Sequence, residues 1–315
     1  MNYSNKSRPP GGSPRRGLSV VAIVLLVLAA GTMAVFAISN WLGPFPFGIS
    51  RRDTTLLTLW NEERYDDVLS EAEAVLDEKP IDPQALTFGG FAHFYVGIDQ
   101  ARVADRQEHL QRSILLLRKA EHVNKAPLIG QRRYVLAKAY YHSGEMNMDV
   151  AARYMEESLS DGYVAKDTYA YLGLAYEGLG KHAEGAKAFE AGLEIEDTAA
   201  LRMKAADARA AMEQYGIAED HLRSALESTS DDYLRLVLRI RLAAVLIERE
   251  QFQSAEQLLT SILEEYPDSA DANYYLGVVY YNTDRAVEAR NMWRTARELD
   301  PNHLKALDSL ANWEG

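Results

Sequence analysis

The sequence predicts an all-α fold in which short helices pair into hairpins and the hairpins stack in a row. Two observations predict it. Side chains of fixed size recur at fixed offsets in units of about 34 residues, and those units fill nearly everything after residue 48. A third sets the row apart from what precedes it: the first fifty residues hold one long uncharged stretch and no acidic residue. A two-helix unit cannot bury its apolar face alone, so such a repeat must stack against its neighbours.

Residues 1–17 carry Lys6, Arg8, Arg15 and Arg16 and the run SRPPGGSPRR, a composition too poor in apolar area to pack, and so predict a disordered basic tail. Leu18 to Ile38 is 21 residues without a charge. As a helix it spans roughly 31 Å, the thickness of a bilayer's hydrocarbon core. A transmembrane helix is therefore placed at 18–41, ending at Trp41, and a linker at 42–50 whose Phe45 and Phe47 suit the headgroup layer while Pro44 and Pro46 stop the helix. Four basic residues before the span outweigh Arg51 and Arg52 after it, which Asp53 dilutes. The positive-inside rule then predicts a single-pass protein of the inner (cytoplasmic) membrane, with a cytoplasmic N-terminus and a periplasmic or extracytoplasmic domain. A cleaved leader is the competing reading, with Val35 and Ala37 before the cut, but the stretch is long for a leader's apolar core of about 7–15 residues.

Removing the four N-terminal cations from the net charge of −12 leaves −16 for residues 51–315. So acidic a surface repels polyphosphate, which argues against nucleic acid as a partner. With no cysteine, disulfides, thiolate chemistry and Cys-bearing zinc sites are excluded.

The repeat is clearest from Ala270 to His303. With Ala270 as the first place, Leu276-Gly277 fall at places seven and eight, Tyr280 at eleven, Ala289 at twenty, Trp293 at twenty-four, Ala296 at twenty-seven and Pro301 at thirty-two. Small residues at eight and twenty let two antiparallel helices approach, and the large ones at seven, eleven and twenty-four fill the space beside them. Proline at thirty-two ends the second helix. One period earlier, 236–269 places Leu242-Ala243, Leu246, Ala255, Leu259, Ile262 and Pro267 on the same template.

These residues resemble the tetratricopeptide repeat (TPR) family, and the resemblance implies a right-handed superhelical solenoid of about seven helix-turn-helix repeats over 51–315. Residues 166–198 fit with Leu172-Gly173, Tyr176, Gly180, Phe189 and Leu193, Gly185 replacing the usual alanine. Residues 130–165 fit with Leu136-Ala137, Tyr140, Gly144, Ala151, Met155 and Leu159, with two extra residues around Met146 to Met148. Residues 199–235 are degenerate, with Ala205, Ala206 and Arg209 where larger or apolar groups belong. Residues 83–129 keep Gly89-Gly90, Ala92 and Gly97, then insert about a dozen charged, helix-forming residues that predict a lengthened second helix. Residues 49–82 hold Tyr65, Val68, Ala72, Val75, Leu76 and Pro80 in order. Residues 304–315 predict a capping helix that turns Leu304, Leu307 and Leu310 onto the last hairpin.

In the resembled family, places two, five, nine and twelve of the first helices point into a concave groove. Carried over, they give Gln131, Tyr134, Lys138 and Tyr141, then Asp167, Ala170, Leu174 and Glu177, then Ala200, Met203, Asp207 and Ala210. The last two units give Val237, Ile240, Ala244 and Ile247, and Asp271, Tyr274, Val278 and Tyr281. The set lacks the Lys and Asn clamp with which some relatives hold an acidic C-terminus. It predicts a protein or peptide ligand, apolar or amphipathic, with basic residues to meet Asp167, Glu177 and Asp207. The apolar stripe of 237–247 equally suits packing against neighbouring helices, so Tyr134, Tyr141, Tyr274 and Tyr281 carry the binding expectation together with Lys138.

No catalytic apparatus is legible. The seven histidines (93, 109, 122, 142, 182, 221 and 303) include no pair three or four residues apart, which points to surface or turn histidines and no metal site. No phosphate-binding glycine loop, nucleophile elbow or cofactor signature appears. The expectation is a membrane-anchored scaffold or adaptor, not an enzyme, in cell-envelope assembly or maintenance. A cytoplasm-facing recruitment adaptor and a periplasmic chaperone-like holder of clients are the alternatives.

Overall fold

The computed structural model describes residues 51–312, which form fifteen α-helices and no strand. The transmembrane helix placed at 18–41, the tail before it and the linker at 42–50 lie outside the described residues. Among those residues, no helix is long and apolar enough to cross a membrane.

The helices alternate as hairpin partners. In chain order they are α1 (Arg51–Asn61) with α2 (Tyr65–Glu78), α3 (Pro83–Ile98) with α4 (Val103–Glu121), and α5 (Ile129–His142) with α6 (Met148–Ser160). Then come α7 (Thr168–Gly178) with α8 (His182–Leu193), α9 (Ala199–Ala211) with α10 (Tyr215–Ser228), and α11 (Asp232–Glu248) with α12 (Phe252–Glu265). The row ends with α13 (Ala270–Asn282), α14 (Ala286–Leu299) and a single helix α15 (Leu304–Ala311). From α2 onward each helix packs on the next, and first helices touch across hairpins as α3 on α5, α5 on α7, α9 on α11 and α11 on α13. Contacts thus stay between neighbours, as in a solenoid. The charged insert of the second unit is the first half of α4, and the two extra residues of the third form a short 3₁₀ turn at Glu145–Asn147.

First and second helices begin by different devices. Four first helices are capped by side chains: Asp82 accepts from the Gln84 and Ala85 amides, Thr198 from Leu201, Asp231 from Leu234 and Ser269 from Ala272, whereas α5 and α7 start without such a bond. Second helices start without a side-chain cap, and five of the seven follow straight from a turn in which the amide of Arg64, Lys181, Gln214, Gln251 or Arg285 donates to the carbonyl five residues back. The residue before that amide sits in the left-handed region, and it is Glu63, Gly180, Glu213, Glu250 or Asp284. This is the Schellman ending, where glycine is the unstrained choice.

Close approach is built from the small–large pairing the sequence predicts. A Cβ on Gly277 would lie 2.5 Å from the Trp293 indole, and Gly173 stands the same way beneath Phe189. Gly89 faces Ala72 of α2 while Gly90 faces Leu117 of α4, so adjacent glycines serve the two neighbours of α3.

The core is one cluster from Leu56 to Ala188 and another from Ala199 to Val279, with Ala186, Phe189, Ala205 and Ala208 as a small group between. That seam is the degenerate unit. Ala205, Ala206 and Ala208 are fully buried, and Arg209, which breaks the apolar pattern, makes two 2.7 Å bonds to Glu190 and one to Gln214. The cap differs from expectation. Helix α15 buries His303, Ala306 and part of Leu310 and leaves Leu304 79% and Leu307 37% exposed. The imidazole of His303 caps the helix through Ala306, which turns that face inward.

Two stability predictions follow from this geometry. Gly277→Val, which places a branched side chain where the indole lies, is expected to cost about 2 kcal/mol or more in urea unfolding; an unchanged midpoint would mean the indole has room to move. Glu250→Gly relieves a left-handed non-glycine residue and is expected to add about 0.5–1 kcal/mol, read as a raised melting temperature.

Candidate protein-binding groove

An open groove of about 610 Å³ runs along the first helices near the C-terminal end. Its apolar floor comes from α11, as Val237, Ile240 and Ala244, with Ala210 from α9 beside it. Ile247, on the same predicted stripe, is buried instead. Charged side chains line the walls, and each has a hydrogen-bonding partner within the fold. The Arg241 guanidinium donates to Asp207 at 2.5 Å, His303 contacts Asp271 at 3.2 Å, and Lys305 donates to the Tyr275 hydroxyl at 3.1 Å. Burial pushes the Asp207 carboxyl above its ordinary range, with Arg241 and Lys204 opposing the shift.

A second groove of about 260 Å³ lies between α7 and α9, where Ala170, Leu174, Ala200 and Met203 form an apolar lining beside Asp167 and Lys204.

The structure separates the predicted site residues into three groups. Asp207 and Asp167 line grooves. Tyr134 and Lys138 do not reach solvent: they are 5% and 8% exposed. Lys138 Nζ donates to Asp167 at 2.8 Å and to the Tyr134 hydroxyl at 3.0 Å, and Tyr134 donates to Asp167 at 2.5 Å. The ammonium also lies 5.5, 5.0 and 4.6 Å from the rings of Phe94, Tyr134 and Tyr171, so one lysine joins three consecutive hairpins. Burial and the Asp167 charge together raise the Tyr134 hydroxyl well above its usual range. Tyr141 packs edge-on against Tyr171 at 5.2 Å beside this cluster.

The third group is absent from both groove linings. Glu177 folds over Gly185, where an alanine methyl would lie 2.5 Å from its carboxylate, and accepts from His182 at 3.0 Å. Tyr274 packs on His303 at 5.1 Å under the cap, and Tyr281, 57% exposed, lies 5.8 Å from the Trp293 ring. The acids expected to meet a basic ligand thus each have an internal partner.

The sequence reading misses Arg241, Tyr275 and Lys204, which share place six of their units and line the grooves. It also misses Lys305, which falls at place two once the period is continued past residue 303. Two histidines depart from the surface expectation. His93 is buried with Nδ1 3.1 Å from His109 Nδ1 across the hairpin, and burial together with His109 and Arg112 lowers its pKa to about 4. His303 is the buried cap described above.

Replacing Lys138 with methionine keeps the stem's packing but leaves Asp167 and Tyr134 without their cation. Because Asp167 is itself 41% exposed, the expected loss is about 2 kcal/mol rather than the 3–5 of a fully buried pair. Urea unfolding of Lys138→Met reads it.

Comparison with known proteins agrees with the fold. Residues 246–312 match the tetratricopeptide repeat family. The chain is similar to the C-terminal part of a TPR repeat-containing protein from Cytophaga hutchinsonii, at 16% identity and a TM-score of 0.58, over 82% of this chain and 98% of that one. It is also similar to a chain of the Cut9–Hcn1 hetero-tetramer of the APC/C, at 15% identity and a TM-score of 0.51, over 89% of this chain and 52% of that one. At these identities the likeness is one of fold. No curated protein matches the sequence.

Proposed function

We propose that the chain is a scaffold that holds a segment of a partner protein in the groove of α9, α11 and α13, and that residues 18–41 tether it to the membrane. One observation carries the binding proposal. The groove joins an open apolar floor, Val237, Ile240 and Ala244, to walls whose charged side chains already hold hydrogen-bonding partners inside the fold, so an apolar ligand can settle on the floor without breaking those contacts. The ligand such a floor favours is an amphipathic segment that inserts apolar side chains. With Asp167, Asp207 and Glu177 engaged internally, apolar contact rather than basic charge governs the choice. The N-terminal charge bias and the 21-residue uncharged stretch support an extracytoplasmic domain and a role in the cell envelope.

A photo-crosslinking amino acid in place of Ile240 in the full chain, expressed in cells, is expected to yield discrete adducts that the same residue in place of exposed Glu298 does not. Equal yields from both positions would remove the groove as the site. Alkaline phosphatase fused after Gly315 is expected to be active, and an inactive fusion would reverse the topology in favour of a cytoplasmic recruitment adaptor.

A further inference from the structure

The solenoid is strongly acidic, yet α4 presents a face of the opposite sign. Along it Gln111, Ile114, Leu115, Arg118, Lys119 and His122 follow the spacing of one helical stripe and form an open groove of about 390 Å³. Leu115 is 45% exposed. Arg112, Arg118, Lys119 and Lys125 are all exposed, and unlike Arg133 with its three carboxylates they have no ion-pair partner among the described residues. Cations in the last turn steady a helix through its dipole, which accounts for Arg118 and Lys119 but not for Arg112 or the exposed leucine.

Beside this stripe runs its complement. Helix α2 exposes Asp66, Glu73 and Asp77. Glu73, Leu76 and Asp77 face Arg112, Leu115 and Lys119 across an open cleft of about 290 Å³, near one another but not paired.

We propose that this face joins two copies of the chain about a twofold axis, the acidic ridge of α2 on one copy lying against the basic ridge of α4 on the other, and the reverse. An interface between identical partners must carry its own complement, and two adjacent ridges of opposite sign with apolar side chains between them do so. An anionic membrane or an acidic partner protein would be drawn to α4 but repelled by α2 alongside it. Two helices of about 21 and 28 Å laid side by side offer on the order of 500 Å² per copy, roughly 1,000 Å² in total, the size of a weak and salt-sensitive contact.

The test uses the full chain in a non-ionic detergent, followed by sedimentation velocity. The native chain is expected to dimerise, with affinity falling at least about ten-fold between 0.1 and 0.5 M salt. Arg118→Glu with Lys119→Glu makes both ridges acidic, and Glu73→Lys with Asp77→Lys makes both basic, so each variant alone is expected to be monomeric with unchanged circular-dichroism helicity. Mixed together, the two are expected to form a heterodimer. A monomeric native chain, a dimer that both variants retain, or a mixture that stays monomeric would each overturn the proposal.

Discussion

Gly277 beneath Trp293 and Gly173 beneath Phe189 are the contacts on which the rest of the fold depends. A hairpin of two short helices has little area to bury, and it can bury that area well only if the backbones come close. A missing Cβ at place eight permits the approach, and a large side chain at place twenty-four fills the space beside it. Once the pair is fixed, one face of each hairpin is left apolar, and the next hairpin covers it. Stacking is then forced rather than chosen, and the row of first helices that forms the grooves follows from it.

Polar contacts along the row act between hairpins. Lys138 reaches Phe94 on one side and Asp167 and Tyr171 on the other, Arg241 reaches back to Asp207, and Arg285 makes a two-bond contact with Glu256 one unit earlier. Most of these pairs are partly exposed, so solvent screens them and each adds little to stability. Their larger effect is register, since an ion pair between neighbouring units holds only one angle of stacking well. Lys138 is the exception in depth, and it links the first helices of three consecutive hairpins.

The seam at the fifth unit shows what happens where the small–large rule lapses. Alanines replace bulk, the core divides, and Arg209 with Glu190 fills the junction by hydrogen bonding. Both grooves border this unit, one on each side of α9. Open space for a ligand appears where packing side chains are small, a direct result of having less volume to fill it.

The sequence by itself determined the helical hairpins and their stacking, because these depend on side-chain size at fixed spacing and on backbone geometry that repeats. The lengthened α4 was legible for the same reason, as a charged run with helical propensity. Which groove residues remain available was decided only in the tertiary structure. Tyr134 and Lys138 occupy groove places, yet they are buried because Asp167 and Tyr171 of the next hairpin meet them there. His93 found His109 across a turn, and Glu177 settled over Gly185, pairings between helices that spacing along one helix cannot show. The cap turned on the same limit. Leu304 and Leu307 mark an apolar stripe in the sequence, but His303, by accepting the Ala306 amide, set the rotation of α15 and left that stripe outside. A repeat specifies the places; which neighbour fills each one depends on side chains that meet only when the chain has folded.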